Sequence, residues 1–404
     1  MKNRGISVYN DSLDNTRFFR PPIEFNFSFF YTPKIDAVGL SSDSDYIIKF
    51  KDKYSGISHY IGNINSGLFT SLFRRWFTPW IVEIFDGNNK IYDFDFEKSL
   101  MNGRVGISID SSSLGDTLAW VPVVELFRIK YNCKVDISTY WNELLKPFYQ
   151  NLSFYEPGKI DNSYDAVFGL GWYDEVNNDM HKRDPRTISL QEVAGDILGI
   201  SLDADVKPIE IPSILKDSLR PIDKKYVCIS MNSTADAKHW HYPGGWQNIV
   251  DYLKNAGYEV VVIQKQEHTL EGVIDESGDM DIMNRAWYLF HADFSIGIGS
   301  GLPWLAWFLD KPVVMISGFS LPRCEFKSRN YRVINTDVCH GCFSNIKYKF
   351  DRGNWFWCPV LGNSENRFEC SKSISPDMVK DAIADLVLKE GLELPYKPVQ
   401  NNNL

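Results

Sequence analysis

The chain has 404 residues, enough for two or three domains with buried cores. A formal net charge of -9 without any basic cluster argues against nucleic acid and anionic membranes as main partners. No stretch reaches the roughly 20 apolar residues of a membrane span, and the opening MKNRGISVYNDS has no apolar signal core, so a cytoplasmic protein is expected.

Residues 1–100 read as a β-rich accessory domain. Tyr46–Phe50 and Trp80–Phe85 are strand-like, and Asp86-Gly-Asn-Asn89 is a hairpin turn into Ile91–Asp95. Nothing in this region looks catalytic.

Residues 101–217 begin a first α/β domain. A short apolar run, Val105–Ile109, leads into Asp110, Ser111, Ser112, Ser113, Leu114, Gly115, Asp116 and Thr117. Apolar residues then recur at helical spacing through Val123, Leu126 and Phe127, with Pro122 read as lying in the first helical turn. Strand, polar turn and helix leave free N–H groups and a positive dipole end where an anion can be held. Cys133–Ile137 and Tyr164–Leu170 are further strands, and the Trp172–Asp179 loop stands where it could line a cleft. The proline-spaced segment Pro208–Pro221 reads as the connector to the next domain.

Residues 218–320 repeat the theme. Tyr226–Ser230 is a buried strand followed by a polar turn carrying Asn232, Thr234 and Lys238. Gly245–Ala256 is a helix, Tyr258–Ile263 a strand ending near Glu267, and Met283–His291 a helix. Phe294–Ile298 runs into Gly299, Ser300, Gly301 and Leu302, whose small residues let backbone approach a phosphate at a helix start. Alternating strands and helices imply parallel sheets covered on both faces, so two such domains would face each other across a cleft. Lys238 there could neutralise a departing diphosphate, although a lysine in such a turn is ordinarily a surface group. Glu267 is placed where a ribose often meets a carboxylate. Met283 could lie against a base, with core packing the plainer reading.

Residues 321–372 lose this rhythm and gain Cys339, Cys342, Cys358 and Cys370, spaced C-x2-C-x15-C-x11-C. The two-residue gap turns two sulfurs inward on one knuckle, and two more complete a tetrahedron of thiolates with no open position. The site is therefore expected to be structural, and its spacing does not separate iron from zinc. Residues 373–404 carry an amphipathic helix, Pro376–Lys389, and a polar tail.

Three motifs together, S-S-S-L-G-D-T-L at 111–118, T-x-x-x-K-H-W ending at Trp240, and G-S-G-L at 299–302, resemble the ADP-heptose:lipopolysaccharide heptosyltransferases. The β-rich N-terminus, the four-cysteine insert and Asp110 directly before the serines are similar instead to the bacterial autotransporter heptosyltransferases, over essentially the whole chain. That resemblance implies a GT-B glycosyltransferase fold of two Rossmann-like domains. It implies transfer of heptose from ADP-D-glycero-β-D-manno-heptose to serines of an autotransporter adhesin. It also implies one structural iron (Fe3+) in the cysteine finger and a ring-like homo-oligomer, a dodecamer.

An inverting transfer of this kind needs one base opposite the diphosphate. Asp110 and Asp116 both qualify by position. Asp110 ends a strand and is expected to point into the cleft, while Asp116 is expected to cap a helix start, where the dipole keeps it ionised. The resemblance to the autotransporter enzymes favours Asp110 as base with Asp116 orienting the site; the lipopolysaccharide enzymes favour Asp116. The donor is expected on Ser111–Gly115, Thr117, Ser230, Asn232, Thr234, Glu267, Met283 and Gly299–Leu302. Two rival readings stand beside this one: a lipopolysaccharide core heptosyltransferase, and a nucleotide-sugar-binding scaffold without catalysis.

Overall fold

The computed structural model describes residues 24–38, 46–161, 163–172 and 180–393. Its frame is two sheets whose parallel strands both reverse their winding direction at an internal point. In the first, Leu152–Tyr155, Lys134–Ser138, Arg104–Ile109 and Ala166–Leu170 lie side by side and parallel. Counted from Arg104–Ile109, the winding order is 3-2-1-4, so the switch falls between that strand and Ala166–Leu170. The second sheet has six strands, all parallel, ordered Ile274–Asp275, Glu259–Val262, Tyr226–Ser230, Phe294–Ile298, Val313–Ile316 and Asn330–Val333. This is the doubly wound 3-2-1-4-5-6 order, with its switch between Tyr226–Ser230 and Phe294–Ile298. The central strands are predominantly apolar and, past Arg104, buried throughout, as strands covered on both faces are.

The β-rich N-terminal region is divided between two sheets. Tyr46–Asp52, Ser58–Ile64, Trp80–Asp86 and Asn89–Asp95 form an antiparallel sheet of their own. The hairpin at Asp86–Asn89 closes as expected, with Gly87 at φ 58°. Glu24–Phe30 instead joins the first α/β sheet, parallel to Ala166–Leu170, and Thr32–Val38 and Phe69–Ser71 extend it antiparallel. Aromatic stacking seals the seam: the rings of Phe29 and Phe168 lie 4.9 Å apart, and those of Phe29 and Phe96 4.8 Å.

The helix after the first strand departs from expectation. It begins at Leu114 and runs to Tyr131, which puts Pro122 in its interior rather than its first turn. Proline there removes one i→i−4 hydrogen bond. The helix tolerates this because it is walled in on nearly every side, Leu118, Trp120, Val121, Val123 and Phe127 all being fully buried. The polar turn is therefore shorter, and the free N–H groups stand directly at Ser113–Asp116.

The two α/β units share one core. Buried residues of the first helix, Leu118 and Trp120, belong to the same apolar cluster as Trp304, Leu305 and Trp307 of Gly301–Phe308. The opposite face of the second sheet is covered by Gly245–Asn255 and by the final helix Pro376–Lys389. No helix among the described residues is long and apolar enough to cross a membrane.

Candidate active site

A cleft of about 1310 Å3 opens at the switch points of both sheets. Each turn singled out from sequence contributes to its wall. Ser111–Asp116 come from the first sheet, Asn232, Thr234 and Lys238 from the second, and Gly299–Leu302 from the second's fourth strand. Two helix starts face the same space because their backbones nearly touch. A Cβ added at Gly301 would lie 2.9 Å from Leu114 Cβ, and one at Gly115 would lie 3.2 Å from the Trp304 ring. A side chain at Gly301 would force the helices to shift, and one at Gly115 would need the Trp304 ring to give by a few tenths of an ångström.

The first turn is internally wired. The Ser113 side chain caps the helix by accepting the Asp116 N–H at 3.4 Å, a long bond. The Ser111 hydroxyl donates to Asp116 Oδ2 at 2.7 Å and accepts the Ser113 N–H at 3.1 Å. The Trp141 indole donates to the Ser112 carbonyl at 3.1 Å. Asp116 thus lies in the cleft wall with its carboxyl pulled two ways. Burial pushes its pKa above the ordinary carboxylate value; the Ser111 hydroxyl, the Lys238 charge, the Trp172 side chain and Arg352 oppose that. Lys238 faces it from the other sheet, its Nζ 5.8 Å above the Phe319 ring. Asp110, expected to point into the cleft, stands apart. It is exposed at the end of its strand, its carboxylate accepts the Ser108 hydroxyl, and it is not among the residues lining the cleft. Its charge also reaches Tyr31, whose hydroxyl pKa is raised by burial first and by Asp110 second.

Several expected donor residues lie elsewhere. Thr117 is fully buried and spends its hydroxyl on the Ser113 carbonyl at 3.1 Å. Ser230 is buried at 1% exposure beneath the turn, its Oγ 2.7 Å from where a Gly297 Cβ would be. Glu267 is exposed outside the cleft. Met283 packs against the core, and Met280, three residues earlier, lines the cleft instead. Gln264, Arg285, Trp304 and Glu325 also line it. Of the expected Trp172–Asp179 loop, Trp172 lines the cleft and residues 173–179 lie outside the described residues.

The cysteine insert supplies the remaining wall through Phe343, Phe350, Arg352 and Trp355. Its aromatic core is shared with the second α/β unit through Ala237 and Phe319, with the Phe319 and Phe343 rings stacked at 5.2 Å and Phe350 edge-on to Trp357 at 5.0 Å. Burial and then the neighbouring thiols raise the pKa of Cys339, of Cys342 to about 11 and of Cys370 to about 12, and Cys358 is one of those neighbours in each case. The four sulfurs therefore stand within electrostatic reach of one another. Among the described residues, however, no three His, Cys, Asp or Glu side chains stand together as a formed metal-holding group. His340 donates from Nδ1 to the Val338 carbonyl at 2.8 Å.

Two doubly wound sheets with one cleft at their switch points are the arrangement in which α/β proteins bind ligands, nucleotides among them, and the chain's relatives narrow the class. Residues 203–324 match the family model of glycosyltransferase family 9 (heptosyltransferase). The chain is 32% identical to the autotransporter heptosyltransferase Aah of Escherichia coli, over 91% of this chain and 95% of that protein. It also matches TibC, an autotransporter heptosyltransferase of Escherichia coli O78:H11. The crystal structure of TibC, described as a dodecameric iron-containing heptosyltransferase in complex with ADP-D-beta-D-heptose, superposes at a TM-score of 0.82 with 27% identity, covering 94% of this chain and 99% of that one. BimC of Burkholderia thailandensis, described as an inactive autotransporter heptosyltransferase, is 29% identical over 86% of this chain and 83% of its own. The chain belongs to the autotransporter heptosyltransferases, a family of glycosyltransferases.

Proposed function

We propose that the chain is an inverting O-heptosyltransferase of GT-B architecture that moves heptose from ADP-heptose to serine hydroxyls of an autotransporter adhesin. The observation that carries this reading is the convergence of two helix starts and Lys238 on one cleft. Backbone N–H groups at Ser300–Leu302 and the Lys238 ammonium would meet the diphosphate and stabilise its charge as the glycosidic bond breaks. The serine oxygen attacks the anomeric carbon from the opposite side, and a carboxylate takes its proton.

Asp110 is the proposed base. It is exposed directly before the cleft-lining serines, open to an acceptor, and the Ser108 hydroxyl orients it. Asp116 is committed to Ser111 and to Lys238's charge, which suits an orienting acid. One observation favours the second assignment: Asp116 lines the cleft and its raised pKa moves it toward the range of an effective base.

Cys339, Cys342, Cys358 and Cys370 are proposed as ligands of one structural iron, with zinc as the alternative. Four free thiols within electrostatic reach are a fitting donor set. A bound ion would tie together the two ends of the insert, and no step of the transfer passes through it. Free thiols also suit a reducing cytoplasm. A large homo-oligomer, a dodecamer as described for TibC, completes the proposal.

The experiment incubates the protein with ADP-heptose and either an adhesin repeat or a lipopolysaccharide core lipid, followed by mass spectrometry. A gain of one heptose on the adhesin is expected. A gain on the lipid would select the core-glycan reading, and no gain on either would leave a binding scaffold, as BimC's description makes worth testing.

A further inference from the structure

Two buried arginines stand in the cleft wall: Arg186 is held by the Asp184 carboxylate and the Tyr348 carbonyl, and Arg285 is left without a role by the transfer scheme. Arg285, near the start of the helix Ile282–His291, is 6% exposed and lines the cleft. Its Nη2 donates to the Gly278 carbonyl at 2.6 Å, while Nη1 is buried and has no hydrogen-bond partner among the described residues. No carboxylate among the described residues forms an ion pair with it; the nearby Asp279 turns a side chain 96% exposed toward Lys265. A buried guanidinium with an unmade bond costs free energy that a ligand acceptor would recover.

The sheet order says which part of a ligand reaches it. Glu259–Val262 lies on the far side of Tyr226–Ser230 from Phe294–Ile298. With the diphosphate at the switch point, as the proposed function has it, a nucleoside laid over the end of Glu259–Val262 would reach Arg285, which is tied through Gly278 to Gln264 just beyond that strand. Neighbouring polar side chains there are already engaged. Gln264 accepts the Met231 N–H at 2.8 Å and donates to the Gln266 carbonyl at 2.9 Å, and Asp281 accepts the Met283 N–H at 2.8 Å. Met280 and Ile282 line the same stretch and offer apolar surface to the face of a base. Adenine presents ring-nitrogen acceptors and no charge, so a single donor at the pocket wall suits it.

We infer that Arg285 holds the nucleoside of the donor, donating from Nη1 to an acceptor that inorganic diphosphate lacks, such as a ring nitrogen of adenine. This rests on the ADP-heptose reading. The test is calorimetric binding of ADP and of inorganic diphosphate to the full-length protein, wild type and Arg285→Met, with melting temperature recorded for each. The methionine keeps the stem's bulk and removes the buried charge, so folding is expected to survive. ADP binding should weaken at least tenfold and diphosphate binding should stay within twofold. If Arg285→Met does not fold, Arg285→Lys, whose shorter point-charge head lacks the second arm that spans from the Gly278 carbonyl to the Nη1 position, is read the same way. ADP affinity within twofold of wild type would overturn the assignment. Equal weakening of both ligands would overturn it too, since the arginine would then be touching phosphate or merely holding the wall. A wild-type protein that binds diphosphate but not ADP would refute the donor reading and this inference together.

Discussion

At the scale of single residues, Asp116 makes the most direct commitment. Its pKa is raised by burial, so the sign follows from linkage. A carboxyl held above its unfolded value of 3.8 adds stability below that pH, and the contribution is lost as pH rises through the folded value. At neutral pH the ionised Asp116 therefore costs stability. Asp116→Asn is expected to melt higher than wild type at pH 7 and to lose that advantage below about pH 4, where both side chains are neutral. Scanning calorimetry at the two pH values decides it. A lower melting point at pH 7 would mean that Lys238 and Ser111 outweigh burial. Asp110 is exposed, so Asp110→Ala should leave folding and ADP binding intact while transfer falls on the order of 10²- to 10⁴-fold. Single-turnover transfer near the wild-type rate would remove Asp110 and leave Asp116 as the base.

Elements carry the next commitment, at the contact of two helix starts. Gly301→Ala would put a Cβ 2.9 Å from Leu114 and force the helices Leu114–Tyr131 and Gly301–Phe308 apart. The expected cost is about 1–3 kcal/mol of stability, with transfer lost more steeply because both anion-facing turns shift. Urea unfolding together with the transfer assay checks this, and a variant that is both stable and active would show that the helices yield cheaply. The same scale shows what the sequence could convey. Strand–turn–helix units were legible because apolar runs and polar turns are local, and all three turns do meet in the cleft. Strand partnership was not legible: nothing in Glu24–Phe30 reveals that it pairs with Ala166–Leu170 across more than a hundred residues. Pro122 misled because a proline's tolerance inside a helix depends on what surrounds it. Met283 and Glu267 missed the cleft because helical phase and turn direction decide which side chain faces inward. Arg285 carried no motif, and only burial with an unmade bond reveals it.

For the whole molecule, the cysteine insert is both a module and a wall of the site. Phe343, Phe350, Arg352 and Trp355 reach the cleft from it, so the thiol cluster that would anchor the insert also shapes the substrate space. Cys358→Ser is expected to lower bound iron or zinc, measured by elemental analysis, and to shift the assembly to smaller species in analytical ultracentrifugation. Full metal content with an unchanged sedimentation profile would remove the four-thiolate site.

The central claim is that the turns at both sheets' switch points form a single donor site. Crystals grown with ADP test it most directly. The diphosphate is predicted between the N–H groups of Ser300–Leu302 and the Lys238 ammonium, with the base toward Arg285. Ordered ADP bound outside this cleft, or held without either turn of the second sheet, would contradict the account.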